Sequence, residues 1–325
     1  MSNSGTKHIS AIVPIYNAEA YLPHCLDTLF GQTIAHDIEY IFIDDASTDA
    51  SMNILREAVE KRSDLNVVIL SNKTNLGSST TRNTAFHRAS GEYIMCLDSD
   101  DYFEPNMAEL LLESATESAA DIVMSPFFMS FESHEEPQRF ATCKADINEM
   151  PISVAYFTLC GKLIRRSLII DNNLFAEPGI NCWEDLSITS RAMALTDRIA
   201  MLNTPLYHYR QNSASLTHSG HKKRLADQIF YADYLKRWFK AQGADFYNKH
   251  IPFLERMQFS AKIKMLRGDV IEVTRWKNTY PFSCRKIIAL SSQFGICYRI
   301  AFLALNACPT RLAIAVAKML GKKAE

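Results

Sequence analysis

The stretch Ile38–Arg62, IEYIFIDDASTDASMNILREAVEKR, decides the fold. Its first part, IEYIFIDDA (38–46), is an apolar run of strand length that closes in two carboxylates, Asp44 and Asp45. A helical pattern follows from Asp49 to Arg62. A strand that leads straight into a helix is one unit of a layered α/β domain.

The neighbouring sequence repeats this unit. Upstream, HISAIVPIY (8–16) reads as a strand and Ala18 to Phe30 as a helix. Downstream come the strand NVVILSN (66–72), a helix from Ser79 to Ala89, the strand EYIMCLDSD (92–100), a helix from Met107 to Ser118 and the strand DIVMSPFFMSF (121–131). Such alternation predicts an α/β fold: a mainly parallel sheet with helices on both faces, where ligands collect outside the carboxyl ends of the strands. Acids stand at two of those ends, Asp44 and Asp45 at one, and Asp98, Asp100 and Asp101 of YIMCLDSDDY (93–102) at another.

From Ser130 to Met150 the periodicity fades, and short strands or loops lead to a helix from about Trp183. RIAMLNTPLYHYR (198–210) has room for a strand pair. After Ser213 the pattern turns helical over Lys222–Gln242, Phe246–Leu266 and Cys284–Leu320. An α/β domain over residues 1–220 and a helical C-terminal region over 221–325 are therefore expected.

With 325 residues and 47% hydrophobic content, the chain can bury a large core. Its 35 Lys and Arg against 36 Asp and Glu leave no global field that would draw nucleic acid. The eight cysteines show no C-x-x-C spacing and several lie in apolar runs, so they read as reduced thiols of a cytosolic protein. MSNSGTKHIS lacks the apolar segment of about 7–15 residues of a signal peptide, which also points to the cytoplasm. The segment 281–325 carries Arg285, Lys286, Arg299, Arg311, Lys318, Lys322 and Lys323 against one acid, Glu325. Its apolar stretches fall short of the roughly 20 residues of a spanning helix, and Pro309 divides them. This segment reads either as an amphipathic contact with the inner membrane surface or as a helical cap with its charges in water.

Ionised carboxylates crowded at a strand end repel one another, and a hard divalent cation is the simplest compensation. D-S-D at Asp98 and Asp100 therefore suggests a metal that carries a diphosphate, although a helix cap, a turn or an aspartyl-phosphatase nucleophile uses the same triplet. At the other acidic end a helix-cap role explains Asp49 fully and Ser47 in part, but not Asp45, which is placed to accept from a base N–H or a ribose hydroxyl. In PIYNAEAYL, Pro14 stops strand pairing, Tyr16 can lie against a flat ring or in a core, and Asn17 can cap a helix. Arg82 stands in the first turns of a helix, against its dipole. That is easier to understand if it points over the strand ends toward a nucleotide.

The series VPIYNAEAYL, IDDASTDAS, NLGSSTTRNTAFHRASGEYIMCLDSDD, GKLIRRSLI, WEDL and LYHYRQNSAS, in this order, resembles the family 2 glycosyltransferases of the GT-A fold over about Ile9 to Ser215. The resemblance implies an inverting enzyme of bacterial cell-surface glycan synthesis. In such an enzyme an acceptor hydroxyl attacks the anomeric carbon of a nucleotide sugar, and the nucleoside diphosphate leaves from the opposite face. A glycan or lipid-linked acceptor, a UDP-sugar donor and a Mn²⁺ or Mg²⁺ ion are implied with it.

By resemblance, Tyr16, Asp45 and Arg82, beside Pro14, hold the nucleoside; Asp98 lies near the ribose or metal; and Asp100 is the main metal ligand, with Asp101 as support. Asp185 is implied as the general base, with Glu184 beside it as acceptor ligand or second choice. Arg210 would steady the diphosphate, His208 would touch metal or phosphate, and Lys162 is a further phosphate contact. Two acids in a first helical turn and a histidine in a strand also have ordinary structural explanations. The chain departs from the family pattern at Ala46, where glycine usually follows the paired acids, at Thr81, where alanine often precedes Arg-Asn, and at Trp183, where a small or polar residue is common. Trp183 could form a wall of the acceptor site. The competing readings are an idle sugar-binding protein of the same fold and a D-x-D phosphatase, the latter disfavoured because Tyr102 stands where Thr or Val is needed.

Overall fold

The computed structural model describes residues 8–142, 144–211, 221–265, 278–291, 299, 302, 303 and 306. The chain divides into two compact units, Met1–Thr217 and His218–Glu325.

The first unit is built on a seven-stranded sheet in the order β10-β6-β9-β4-β1-β2-β3. The strands are β1 (Ile9–Ile15), β2 (Ile38–Asp44), β3 (Asn66–Ser71), β4 (Tyr93–Cys96), β6 (Ile122–Met124), β9 (Lys162–Arg165) and β10 (Ile199–Met201). All neighbouring pairs run parallel except those made by β9, which lies antiparallel between β4 and β6. Helices α1 (Leu22–Phe30), α2 (Ser51–Lys61), α3 (Ser78–Arg88) and α4 (Met107–Glu117) connect the strands. This is the mainly parallel α/β architecture that the sequence predicts.

Strand alternation assigns the two faces. Ala11, Val13, Ile15, Tyr40 and Phe42 share one cluster with Leu22, Leu26, Leu29, Leu55 and Leu111 from α1, α2 and α4. The alternate residues Ile12, Ile41 and Ile43 are fully buried outside that cluster, and α3 packs on β1 and β2 with Ala85 and Phe86.

A second sheet of four strands, in the order β5-β11-β7-β8, is made by β5 (Tyr102–Phe103), β7 (Phe127–Ser130), β8 (Glu135–Pro137) and β11 (Tyr207–Arg210). Two expectations are corrected here. The single strand over 121–131 is two strands in different sheets, β6 and β7, parted at Ser125–Pro126, because proline has no N–H for a ladder. The segment 198–210 does hold two strands, but they are not partners: β10 joins β6 and β11 joins β5 and β7. Short helices α5 (Val154–Phe157) and α6 (Arg166–Asp171) flank β9, and α7 (Glu184–Ala194) follows.

The second unit is helical where described, with α8 (His221–Ala241), α9 (Ala244–Lys249), α10 (Ile251–Lys264) and α11 (Cys284–Leu290). Leu235, Phe239, Phe253 and Met257 are buried within it. Most of the cationic tail proposed as a membrane contact, including Arg311, Lys318, Lys322 and Lys323, lies outside the described residues.

Candidate active site

The carboxyl end of β4 and the start of α7 bring three acids together around Arg82. Its Nη2 donates to Asp98 Oδ1 at 2.7 Å, and its Nη1 to Glu184 Oε1 at 3.1 Å and Asp185 Oδ1 at 3.2 Å. Burial opposes its charge, but Asp185, Asp98 and Glu184 more than offset this and hold the guanidinium well above its usual range. Sequence reasoning aimed Arg82 at a nucleotide; in the structure it ties three carboxylates together, and its buried Nε has no partner.

The two acids of α7 differ in setting. Glu184 is buried, accepts from the Ser78 hydroxyl at 2.9 Å, and is pushed up to about 7 by burial and by the adjacent Asp185 charge. The Asp185 side chain is more open, at 22% exposure, and its Oδ2 accepts from the Thr158 hydroxyl at 3.2 Å and the Leu159 N–H at 3.3 Å. Trp183, just before them, takes a left-handed φ of +74°, a conformation that explains why smaller residues are usual there.

Asp45 is buried and accepts from three donors: the Asn72 amide at 2.8 Å, the Leu76 N–H at 2.9 Å and the Gly77 N–H at 2.8 Å. Ala46 beside it has φ +63°, the reason glycine suits this position. Tyr16 is 49% exposed at the end of β1, with its ring open to a flat partner, and Pro14 lies two residues earlier in the same strand.

The three acids of YIMCLDSDDY separate in role. Asp101 is buried, accepts from the Tyr207 hydroxyl and from the Arg210 N–H at 2.8 Å, and so ties β11 to this loop. Burial first, then the charges of Asp100 and Asp98, drive its carboxyl well above the usual range. The same negative potential, after burial, raises the Cys25 and Cys160 thiols. Asp98 Oδ2 accepts from the Cys160 thiol at 3.3 Å, and its N–H donates to Tyr207 at 3.2 Å. Both Asp98 oxygens are thus engaged, one by Arg82 and one by Cys160, and among the described residues no group of three or more His, Cys, Asp or Glu side chains is arranged to hold a metal ion.

Three expected phosphate or metal contacts sit differently. Arg210 donates from Nε to the Asp100 carbonyl at 2.8 Å, lies over the rings of Tyr21 and Tyr102, and has Nη2 3.1 Å from His24 Nδ1. His208 is buried between Glu135 at 2.8 Å and Glu104 at 3.0 Å, stacked on Tyr102 and Phe128, so both ring nitrogens are committed. Lys162 is 1% exposed, donates to the Ala155 carbonyl at 3.4 Å, and is pulled down to about 7 by burial. Ser78, Thr158 and Leu159, which hold Glu184 and Asp185, carry no signature in the sequence that marks them.

The sequence profile of glycosyl transferase family 2 matches residues 10–172. The glycosyltransferase EpsJ of Bacillus subtilis, itself uncharacterised, is 30% identical over 252 residues, covering 74% of this chain and 70% of EpsJ. The poly(ribitol-phosphate) β-N-acetylglucosaminyltransferase TarS of Staphylococcus aureus is 28% identical, over 79% of this chain and 46% of that protein. The crystal structure of TarS residues 1–349 in complex with UDP-GlcNAc shares the fold, with a TM-score of 0.72 at 21% identity over 98% of this chain and 91% of that one. A mannosyltransferase of Pyrobaculum calidifontis, solved with GDP-Man and Mn²⁺, has a TM-score of 0.56 at 14% identity over 99% of this chain and 89% of that one.

Proposed function

The chain belongs to glycosyl transferase family 2, and from that premise we propose an inverting transferase that moves a sugar from a UDP-sugar to a hydroxyl of a glycan or lipid-linked acceptor in surface polysaccharide synthesis. One observation carries the reading: Arg82 gathers Asp98 from β4 and the Glu184–Asp185 pair from α7 at the carboxyl end of the sheet, where the fold binds ligands. The UDP-sugar class is supported by TarS, which binds UDP-GlcNAc.

Asp185 is the general base. Its carboxylate is oriented by Arg82 on Oδ1 and by Thr158 and Leu159 on Oδ2, which leaves a lone pair on Oδ1 for the acceptor hydroxyl. It takes the proton of the acceptor hydroxyl as that oxygen bonds to the anomeric carbon and the bond to the diphosphate oxygen breaks, which inverts the centre. Burial and the Asp185 charge push Glu184 up to about 7, toward the protonated form that relieves the pair of two charges side by side. Asp45 and Tyr16 hold the nucleoside, accepting from its N–H and lying against its ring.

Asp100 and Asp98 would hold a Mn²⁺ or Mg²⁺ ion, which would neutralise charge growing on the leaving diphosphate. Arg210 reaches the phosphates by leaving the Asp100 carbonyl. The protein works at the cytoplasmic face of the membrane, with 281–325 as the contact.

The reading is tested by UDP release from UDP-GlcNAc, with and without Mn²⁺. Asp185→Asn should keep UDP binding and lower turnover about 10²–10⁴-fold. Asp100→Ala should remove the Mn²⁺ stimulation; a variant with unchanged stimulation sinks the metal assignment.

A further inference from the structure

Between the nucleoside carboxylate Asp45 and the acids of α7 runs the short turn into α3, Leu76 to Ser79, bonded at both ends. At one end Asp45 accepts the N–H groups of Leu76 and Gly77. At the other, the Ser78 hydroxyl donates to Glu184, the Ser79 N–H donates to Asn181 Oδ1 at 3.1 Å, and the Ser79 hydroxyl donates to the Ile180 carbonyl.

The turn lies directly on the Asn181 side chain. Gly77 has φ +83°, and a Cβ built on it would stand 2.7 Å from Asn181 Oδ1 and 2.8 Å from Cγ. No slack separates the two, so a shift of the turn must move Asn181 or break from it. The strand of chain that carries Asn181 is itself anchored. Asn83 and Ala176 exchange hydrogen bonds of 2.8 and 3.0 Å, and Arg191 donates to the Phe175 carbonyl at 2.6 Å.

Asp45 offers about four acceptor positions, and three are taken by Asn72, Leu76 and Gly77. A nucleoside N–H or hydroxyl therefore completes the carboxylate without expelling the turn. Occupancy fixes the turn more firmly, and the turn bears on Asn181 and Glu184.

We propose that Asn181 is a positioning residue: through the Gly77–Ser79 turn it keeps the Glu184–Asp185 pair in register with Asp45, so that a bound nucleoside steadies the catalytic acids. The inference rests on the donor reading above. It assigns Asn181 no contact with substrate.

Hydrogen exchange with and without UDP tests it. In the wild type, UDP should slow exchange in 76–82 and also in 181–187. In Asn181→Ala, UDP should bind within about threefold of wild type and still protect 76–82, but no longer protect 181–187. The kcat for UDP-GlcNAc hydrolysis should fall about 10- to 100-fold with KM little changed, as expected for misplacement of the acids rather than loss of binding. Should Asn181→Ala not fold, Asn181→Ser, too short to reach the Ser79 N–H, is expected to separate the two regions in the same way. Equal protection of 181–187 in wild type and variant overturns the proposal, as does its absence in a wild type that binds UDP. A wild type that shows no UDP binding by thermal shift overturns the donor reading and this coupling with it.

Discussion

Lys162 and Glu184 place ionisable groups in the interior, and each leaves a mark on stability. Burial pulls the Lys162 amine from 10.5 to about 7. Between those values the unfolded chain holds a proton that the folded chain has lost, so stability rises with pH there, and the destabilisation is complete below about pH 7. Lys162→Met should therefore raise stability on the order of 1–3 kcal/mol at about pH 6, with the gain shrinking toward pH 10, as read from urea midpoints. Glu184, raised from 4.5 to about 7, acts oppositely: the folded state keeps a proton that the unfolded state has lost, so its contribution falls as pH rises across that interval. Ala46 bears a different strain. At φ +63° the alanine methyl is disfavoured, and Ala46→Gly should stabilise by about 0.5–1 kcal/mol after the greater freedom of unfolded glycine is deducted, measured in the same melts. The acids at the strand ends are legible in the sequence because an apolar run closing in like charge is a local signal. The partners of Arg82 are not, since Glu184 and Asp185 lie 102 and 103 residues away along the chain. The burial of Lys162 is equally silent, because GKLIRR looks the same whether its amine faces water or the core.

Strand β11 acts as a clasp on the acidic loop. From it, the Tyr207 hydroxyl accepts from the Asp98 N–H and donates to Asp101, while the Arg210 N–H donates to the other Asp101 oxygen. Tyr207→Phe leaves the buried Asp101 short of a donor and should lower stability by about 1–3 kcal/mol in a urea melt. It should also lower donor turnover, since Asp98 loses its backbone restraint; a variant with full turnover would show that the clasp serves folding alone. At this scale the repeated strand–helix units were readable, because each is set by hydrophobic period and local breakers. The sheet to which a strand belongs was not. DIVMSPFFMSF has the composition of one strand, and only the missing N–H of Pro126 hints that Ile122–Met124 and Phe127–Ser130 go separate ways.

The molecule as a whole has a formal charge of −1, so any attraction to an anionic surface must come from a local excess. Among the described residues no helix is long and apolar enough to cross a membrane. If the cationic segment 281–325 is the membrane contact, the protein should float with vesicles rich in anionic lipid and release as salt rises, each basic residue contributing about 1 kcal/mol near the surface. Removing 281–325 should abolish flotation, and persistence after removal would place the contact elsewhere. The division into an α/β unit and a helical unit follows a change of hydrophobic period near residue 220, whereas the function of the helical unit has no signature beyond its charge.

The antiparallel strand β9 has a consequence for the birth of the protein. It alone joins β4 to β6, yet it emerges about 40 residues after β6 is complete. At about 5–20 residues per second, a nascent chain waits roughly 2–8 s with the edges of β4 and β6 that β9 will fill still open. Those seconds are when the chain is most exposed to edge-to-edge association, and when a chaperone would have most to shield.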